Sequence, residues 1–351
     1  MANCPEISNV LNIYEEASGQ QLNRAKTSIF FTKNTKPAMK AQIQALFHVP
    51  EIKNHEKYLG LPSFVGRSKV AAFGELKSRV WRRICGWKEK LLSNGGREVL
   101  LKAVVQSIPT YTMSCFRLPD GLCKDLNQMY GQFWWGYHDK KKKAHWIKWS
   151  KLCAHKFRGG MGFRDIKAFN KALLAKQGWR LIQYPHSLVS RVYKAKYFPR
   201  SNFLEAGIGS RASYAWQSLI SARGVLKMGL RWHIGDRDSV QITEDPWLPF
   251  PLSNDPFSIR HIVDKDERVS LLLNAASNSW NNDIVHALFS PWEAKVICDI
   301  PLPPRLKPDR LFWNESKSGL FTVKSTYYVQ LQGDMVDKTG ESSQWARDKD
   351  F

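Results

Sequence analysis

RSKVAAFGELKSRVWRRICGWKEK, residues 67–90, is the stretch on which the reading of the fold turns. Val70, Phe73, Leu76, Val80, Ile84 and Trp87 step at three or four residues, which draws one apolar stripe along a long amphipathic helix. The other side carries Lys69, Lys77, Arg79, Arg82, Arg83, Lys88 and Lys90. The spacing therefore predicts a helix that buries one face and offers a cationic one. Downstream, Asn94-Gly95-Gly96 predicts a break. A second helix then runs on Leu100, Ala103, Val104 and Ile108 to about Ser107, where Pro109 stops it. A third helix follows the PDG at 119–121 and ends in FWWG at 133–136. FNKALLAKQGWRLI restores the period, with Ala172, Ala175, Trp179 and Ile182 on one stripe.

Away from these helices the texture is shorter. Pro5 to Ala17 reads as a helix ended by Ser18-Gly19, SIFF at 28–31 as a strand, and 37–48 as a helix. An extended KYLG lies between Pro50 and Pro62. RWHI, the turn GDRD and SVQIT predict a hairpin over 231–243. Prolines 301, 303, 304 and 308 mark a linker, and LFWNESKSGLFTVKSTYYVQL reads as two short strands entering a helix, with a polar, frayed tail from Gly333. The expected fold is mainly α with small β elements (α+β), with hairpins near 20–62, 231–243 and 311–325. Five segments are expected: 1–62, 63–135, 136–200, 201–300 and 301–351.

Charge is divided unevenly along the chain. The net is +22, yet residues 1–200 hold 36 Lys and Arg against 12 acids, and residues 201–351 hold 17 against 19. Residues 140–200 alone carry 17 basic side chains and one acid, Asp165. A surplus this local points to a polyanion as partner. Lys140, Lys141, Lys142, Lys143, Lys148, Lys151, Lys156 and Arg158 alternate with His145, Trp146 and Trp149. The cations suit phosphates, and an exposed indole could stack on a base. Trp134, Trp135, Trp146 and Trp149 fit core or half-buried positions better than stacking platforms.

Other chemistries are excluded or weak. No apolar run is long enough to span a membrane, and MANCPEISNV lacks the pattern of a secretory signal. Six cysteines without a CxxC pair suit reduced thiols in a cell interior, with Cys115 and Cys123 read as buried. The acids Asp236, Asp238, Glu244 and Asp245 read as turn formers and a strand end rather than a metal site. His138, His145, Cys153 and His155 could ligate zinc chemically, but their spacing matches no usual module. The GGMG at 159–162 implies a tight loop and lacks the Gly-Lys-Ser/Thr of a phosphate loop. No small-molecule substrate is evident.

Six strings, in order, resemble plant LINE-type (non-LTR) retrotransposon reverse transcriptases: SGQQLNRAKTSIFF, EKYLGLPSFVGRSK, GWKEKLLSNGGREVLLKAVVQSIPTYTMSCFRLP, FWWG, KFRGGMGFRDIKAFNKALLAKQGWRL and GDRDSVQITEDPWLP. FWNESKSGLFTVKSTYYV is similar to the opening of the zinc-binding domain that follows the polymerase in these elements. The resemblance implies a truncated palm over 1–62, a thumb-like helical domain over 63–135 and a basic connector over 136–200. A mixed region over 201–300 precedes a proline linker and the start of a zinc-binding domain. It implies a primer-grip-like turn at Tyr58, Leu59 and Gly60, and a nucleotide-phosphate contact at Lys26. Lys77, Arg79, Arg82, Arg83 and Lys88 would lie on the thumb-like face. The family's tyrosine and paired aspartates lie upstream of the helix ending at Ala17, and two-metal phosphoryl transfer needs such carboxylates. The expectation is a fragment that binds RNA or DNA as template–primer duplex, holds no cofactor and does not polymerise. Mg2+ would enter only with an upstream palm. By the same analogy the protein is intracellular and nuclear. Two alternatives stand beside it: part of an active enzyme whose palm lies upstream, and a pseudogene-derived protein. GDRD stands where relatives usually have GDG, and Thr243 where an aromatic is common.

Overall fold

A computed structural model of the chain describes residues 3–32, 34–52, 57–58, 60–62, 65–66, 68–87, 92–138, 141–142, 145–235, 238–248, 263–264, 266–274, 279–303 and 307–339. The chain forms two units, Met1–Glu75 and Leu76–Phe351. In the first, α1 (Asn3–Ser18) closes on Gly19 at φ +67°, where the amide of Gly19 donates to the carbonyl of Glu15. α2 (Pro37–Phe47) opens on a proline and ends on His48 in the left-handed region. SIFF does not form a strand. It makes one isolated parallel bridge, Ile29 to Glu51, too short to propagate a ladder. β1 (Lys57–Tyr58) and β2 (Leu61–Pro62) form a two-residue hairpin, and Gly60 at φ +79° makes its turn.

α3 (Lys69–Cys85) begins in the first unit and ends in the second. Phe73, Leu76, Val80 and Ile84 are buried as the stripe predicts, whereas Val70 is exposed in the helix's first turn. Asn94-Gly95-Gly96 does not break the chain but forms the first turn of α4 (Asn94–Ala103). Ser93 caps that turn, its Oγ accepting from the amide of Gly96 at 3.1 Å, so the cap offsets the glycines' poor propensity. Pro109 likewise opens a helix, α5 (Thr110–Cys115). α6 (Asp120–Trp135) follows and ends at Gly136, φ +83°, leading to the hairpin β3 (Tyr137–His138) and β4 (Lys141–Lys142). α7 (Trp149–Leu152) is a single turn.

α8 (Ile166–Gln183) is the central helix, packed by α5 and α6 and by three later helices: α10 (Tyr214–Ser221), α11 (Arg223–Gly229) and α14 (Val323–Thr339). Between α8 and α10 lies α9 (Leu188–Tyr197). Ala172 and Ala175 are buried, with Trp179 and Ile182 packed at the margin, as the stripe predicts. Trp216 sits at the centre of the core, against Tyr197 (4.7 Å between centroids), Phe198 and Phe203. The helix extends through Gly333 to Thr339, so the tail is helical to that point rather than frayed.

The hairpin expected over 231–243 does not form. β5 (Leu230–His233) instead pairs antiparallel with β8 (Arg310–Trp313), and Gln241 bridges Arg268. The reason lies outside the local sequence: the Asp309 carboxylate accepts the amides of Gly235 and Ser239, holding these two residues against Asp309. One strand rather than two precedes α14, and Trp313 is fully buried in the α8 core with its indole N–H donating to Ser325 Oγ at 2.8 Å. A second core gathers Ile234, Val240, Ile242, Trp247, Leu272 and Trp280. It includes α12 (Asn282–Leu288), α13 (Pro291–Cys298), and the pair β6 (Leu273–Asn274) and β7 (Ser279–Trp280). The fold is thus mainly α with small β elements. No described helix is long and apolar enough to cross a membrane.

Two buried amides join α8 to what precedes it. Asn170 Oδ1 accepts from Leu118 N at 2.8 Å, while its Nδ2 donates to the carbonyls of Met113 (2.7 Å) and Phe116 (2.9 Å). Gln106, fully buried, exchanges two bonds of 3.3 Å with the backbone of Arg164. Asn170→Ala should strand three buried backbone groups and lower stability by about 2–4 kcal/mol. Urea unfolding checks this, and a loss below ~1 kcal/mol would contradict it. Thr243 is buried with its hydroxyl unpartnered among the described residues. Thr243→Val should therefore stabilise the chain by about 1 kcal/mol, and a destabilisation in the same assay would refute that reading.

Candidate nucleic-acid interface

The outward face of α3 in the second unit carries Lys77, Arg79, Arg82 and Arg83, all exposed. They do not act alike. Lys77 Nζ lies 2.7 Å from the Asp125 carboxylate of α6, so it struts two helices as an exposed pair worth at most about 1 kcal/mol. Arg79, Arg82 and Arg83 line an open depression of about 470 Å³, with Val104, Ser107 and Ile108 from the end of α4 and the short helical turn after it. Arg83 also lies 5.7 Å over the Trp87 ring. Among the described residues Arg79 and Arg82 meet no carboxylate.

α4 links this depression to the basic loop. Its Glu98 carboxylate meets Lys102 Nζ at 2.6 Å and Lys156 Nζ at 3.1 Å, and these hydrogen-bonded ammonium groups hold it below the usual carboxylate range. Lys102 also donates to the carbonyl of Met161 at 2.6 Å. In α7, Trp149 turns inward and stacks on Phe163 (4.9 Å, 15°), and Leu152 and Cys153 are buried. Lys148 and Lys151, on the same turn, are left in solvent.

The loop after α7 is tight for a steric reason. Met161 N donates to the carbonyl of Leu152 and Gly162 N to that of Ala154, both at 2.9 Å. A Cβ on Gly160 would stand 2.0 Å from the Ala154 carbonyl oxygen, which no side chain tolerates. Gly159, at φ +75°, closes the one-turn helix Lys156–Arg158, which His155 caps by accepting from Phe157 N at 3.4 Å. Lys156 and Arg158 are exposed on that turn.

Aromatic placement departs from expectation at one tryptophan. Trp134, Trp135 and Trp149 are half-buried, packed on Phe163, His145 and Phe163 respectively. Trp146, expected in the same class, is 83% exposed in the non-helical segment that leads into α7. Phe157, which sequence reasoning passed over, is 79% exposed. Its signal was the alternation Lys156-Phe157-Arg158 ended by a glycine.

The remaining predicted residues fall elsewhere. Lys26 is exposed in the first unit, its amide held by Asn23, and Gly60 makes the hairpin turn of that unit. Leu59, Lys88, Lys140 and Lys143 lie outside the described residues, as do Asp236 and the side chains of Tyr58, Lys141, Lys142 and His138.

Among the described residues the acids and thiols are engaged in packing and local hydrogen bonds. Asp245 accepts from Trp232 Nε1 at 3.0 Å and Gln241 N at 2.9 Å, and burial, the larger influence, pushes its carboxyl up. Burial also lifts the Cys123 thiol to about 12 and Cys153 higher, while His145 and His155 stack on Trp135 and Phe157. Among the described residues no three His, Cys, Asp or Glu converge.

Gly160→Ala should release the loop, raising tryptic cleavage after Lys156 and Arg158 roughly tenfold or more, by the local opening free energy of about 1–3 kcal/mol that overpacking forfeits. Wild-type cleavage rates in the variant would contradict the steric argument.

No protein-family model matches the chain. A protein of Arabidopsis thaliana named "Putative ribonuclease H protein" is 33% identical over 278 residues, which is 76% of this chain and 44% of that protein, so the chain spans under half of that relative. A second Arabidopsis thaliana protein, named "Uncharacterized mitochondrial protein", is 46% identical over 143 residues, or 40% of this chain. Its name assigns that protein to the mitochondrion, whereas the resemblance read in the sequence implied a nuclear one. Those 143 residues make up 93% of the mitochondrial protein's own length, and the chain belongs to its family.

Proposed function

We propose that the chain is a retroelement-derived segment, related to non-LTR reverse transcriptases, that binds nucleic acid through its basic face and does not polymerise by itself. The six ordered strings support the reverse-transcriptase relationship, and a relative named as a ribonuclease H protein supports a retroelement origin. The observation that carries the binding function is the depression lined by Arg79, Arg82 and Arg83, beside the exposed Lys148, Lys151, Lys156 and Arg158 of the basic stretch, of which Lys156 reaches Glu98 of α4.

The chemistry is neutralisation of phosphates. Guanidinium groups offer several fixed donors to phosphate oxygens, and each neutralised phosphate releases counterions. Val104 and Ile108 give the depression an apolar floor on which a sugar can rest. Such contacts hold the backbone and read little sequence. The longer relative, of which this chain matches 44%, favours a second reading in which the segment works within a larger polypeptide that supplies the catalytic carboxylates.

With about six phosphate contacts, binding should weaken with salt at a log–log slope near −4 to −5. Replacing Arg79, Arg82 and Arg83 together by alanine should shallow that slope by roughly 2–3. Fluorescence anisotropy of the full chain across 50–200 mM salt, a range chosen on the order of physiological ionic strength, measures both. Salt-independent binding, or none at the low end, would overturn the reading. Metal-dependent primer extension by the purified chain would overturn the non-catalytic part alone.

A further inference from the structure

We propose that Trp146 and Phe157 are stacking platforms for unpaired bases, so that the basic face grips single-stranded nucleic acid in preference to duplex. This rests on the nucleic-acid reading above and narrows it to one substrate class. The large rings around them are packed away: Trp134, Trp135 and Trp149 are half-buried, and Tyr130 and Phe163 are fully buried. Trp146 and Phe157 remain 83% and 79% exposed in the same stretch. Trp146 has no ring, ion-pair or hydrogen-bond partner among the described residues.

Phe157 is held rather than loose. One side of its ring lies against His155, with centroids 5.1 Å apart and planes 28° from parallel, and His155 is itself braced edge-on by Tyr328. Its backbone amide donates to His155 Nδ1. The ring, 79% exposed, is thus carried on a fixed turn. Lys148, Lys151, Lys156 and Arg158 flank the two rings, and no acid occurs from Lys140 to Arg164.

A planar ring beside cations matches a partner with both π-faces and phosphates. Single strands offer both, whereas a duplex hides its base faces within the stack. An anionic membrane would also attract lysines and aromatics. The nucleic acid is favoured because the Phe157 ring is braced against His155 on a fixed turn rather than free to insert, and because the loop that carries it is tied to α4 by Lys102 and Lys156.

The test compares the full chain with Trp146→Ala and Phe157→Ala, neither of which empties the core. The probes are a mixed-sequence single-stranded oligonucleotide, its duplex, and vesicles of phosphatidylserine and phosphatidylcholine. The wild type should bind the single strand at least about fivefold more tightly than the duplex, and each substitution should weaken the single strand roughly 5–50-fold while leaving the duplex within about twofold. Trp146→Phe should retain most of the affinity. Equal loss on both nucleic acids, no loss on either, or a loss confined to the vesicles overturns the proposal while leaving the arginine-dependent binding intact. Absence of binding to any nucleic acid overturns this proposal and the reading beneath it together.

Discussion

The side-chain amide of Asn170 is the constraint on which the second unit depends. It lies inside α8 and satisfies three backbone groups of the 113–118 connection, which a plain helix–helix contact would leave unpaired. A buried polar group without partners costs more than its bonds contribute, so the connection can take only the path that meets this amide. Gln106 does the same at the other end, pinning Arg164 and so the entry to α8. That entry is held a third time, since Asp165 caps α8 through Ala168 and its own amide donates to the Tyr327 hydroxyl of α14. Helices far apart in sequence are thereby locked to one axis.

Helices were legible in the sequence because periodicity is a local property. The α3 stripe, the α8 stripe and the break at Ser18-Gly19 all depend on neighbours within a turn or two. The pairing of β5 was not legible, because its partner lies about eighty residues on and the deciding group is the Asp309 carboxylate. Asn94-Gly95-Gly96 misled for a different reason: glycine marks a breaker by composition, and only the Ser93 cap turns it into a helix start. The basic character of the site was visible, but its subdivision was not. Lys77 and Lys156 look identical to Arg79 and Lys148 until Asp125 and Glu98 are seen beside the first two.

That subdivision follows from a shortage of acids. Of the described carboxylates between Leu76 and Arg200, Glu98 serves two lysines, Asp120 meets Arg117 and Lys167, Asp125 holds Lys77 and Asp165 caps α8. Each is occupied in holding structure together. No acid remains among them to neutralise Arg79, Arg82, Lys148 or Lys151, and the surplus is displayed as a field rather than consumed in pairs. The same lack of convergent carboxylates that leaves the face positive leaves the chain without a metal site of its own among the described residues.

Phosphate contacts and ring contacts answer to different conditions, and this decides what the proposed face could distinguish. Counterion release makes the cationic part steeply salt-dependent: six contacts lose on the order of 10³-fold between 50 and 200 mM salt. Stacking on a ring contributes about 1–3 kcal/mol per base and involves no counterions. At low salt the arginines and lysines supply most of the affinity, and the rings add a preference for unpaired bases to it. As ionic strength rises the two rings supply a growing share of what affinity remains, so the discrimination they give in favour of unpaired bases persists while affinity falls. A face built from lysines alone would lose affinity in the same way but would have no such selectivity. The exposed positions of Trp146 and Phe157, in the same stretch as Lys148, Lys151, Lys156 and Arg158, are what separate the two behaviours.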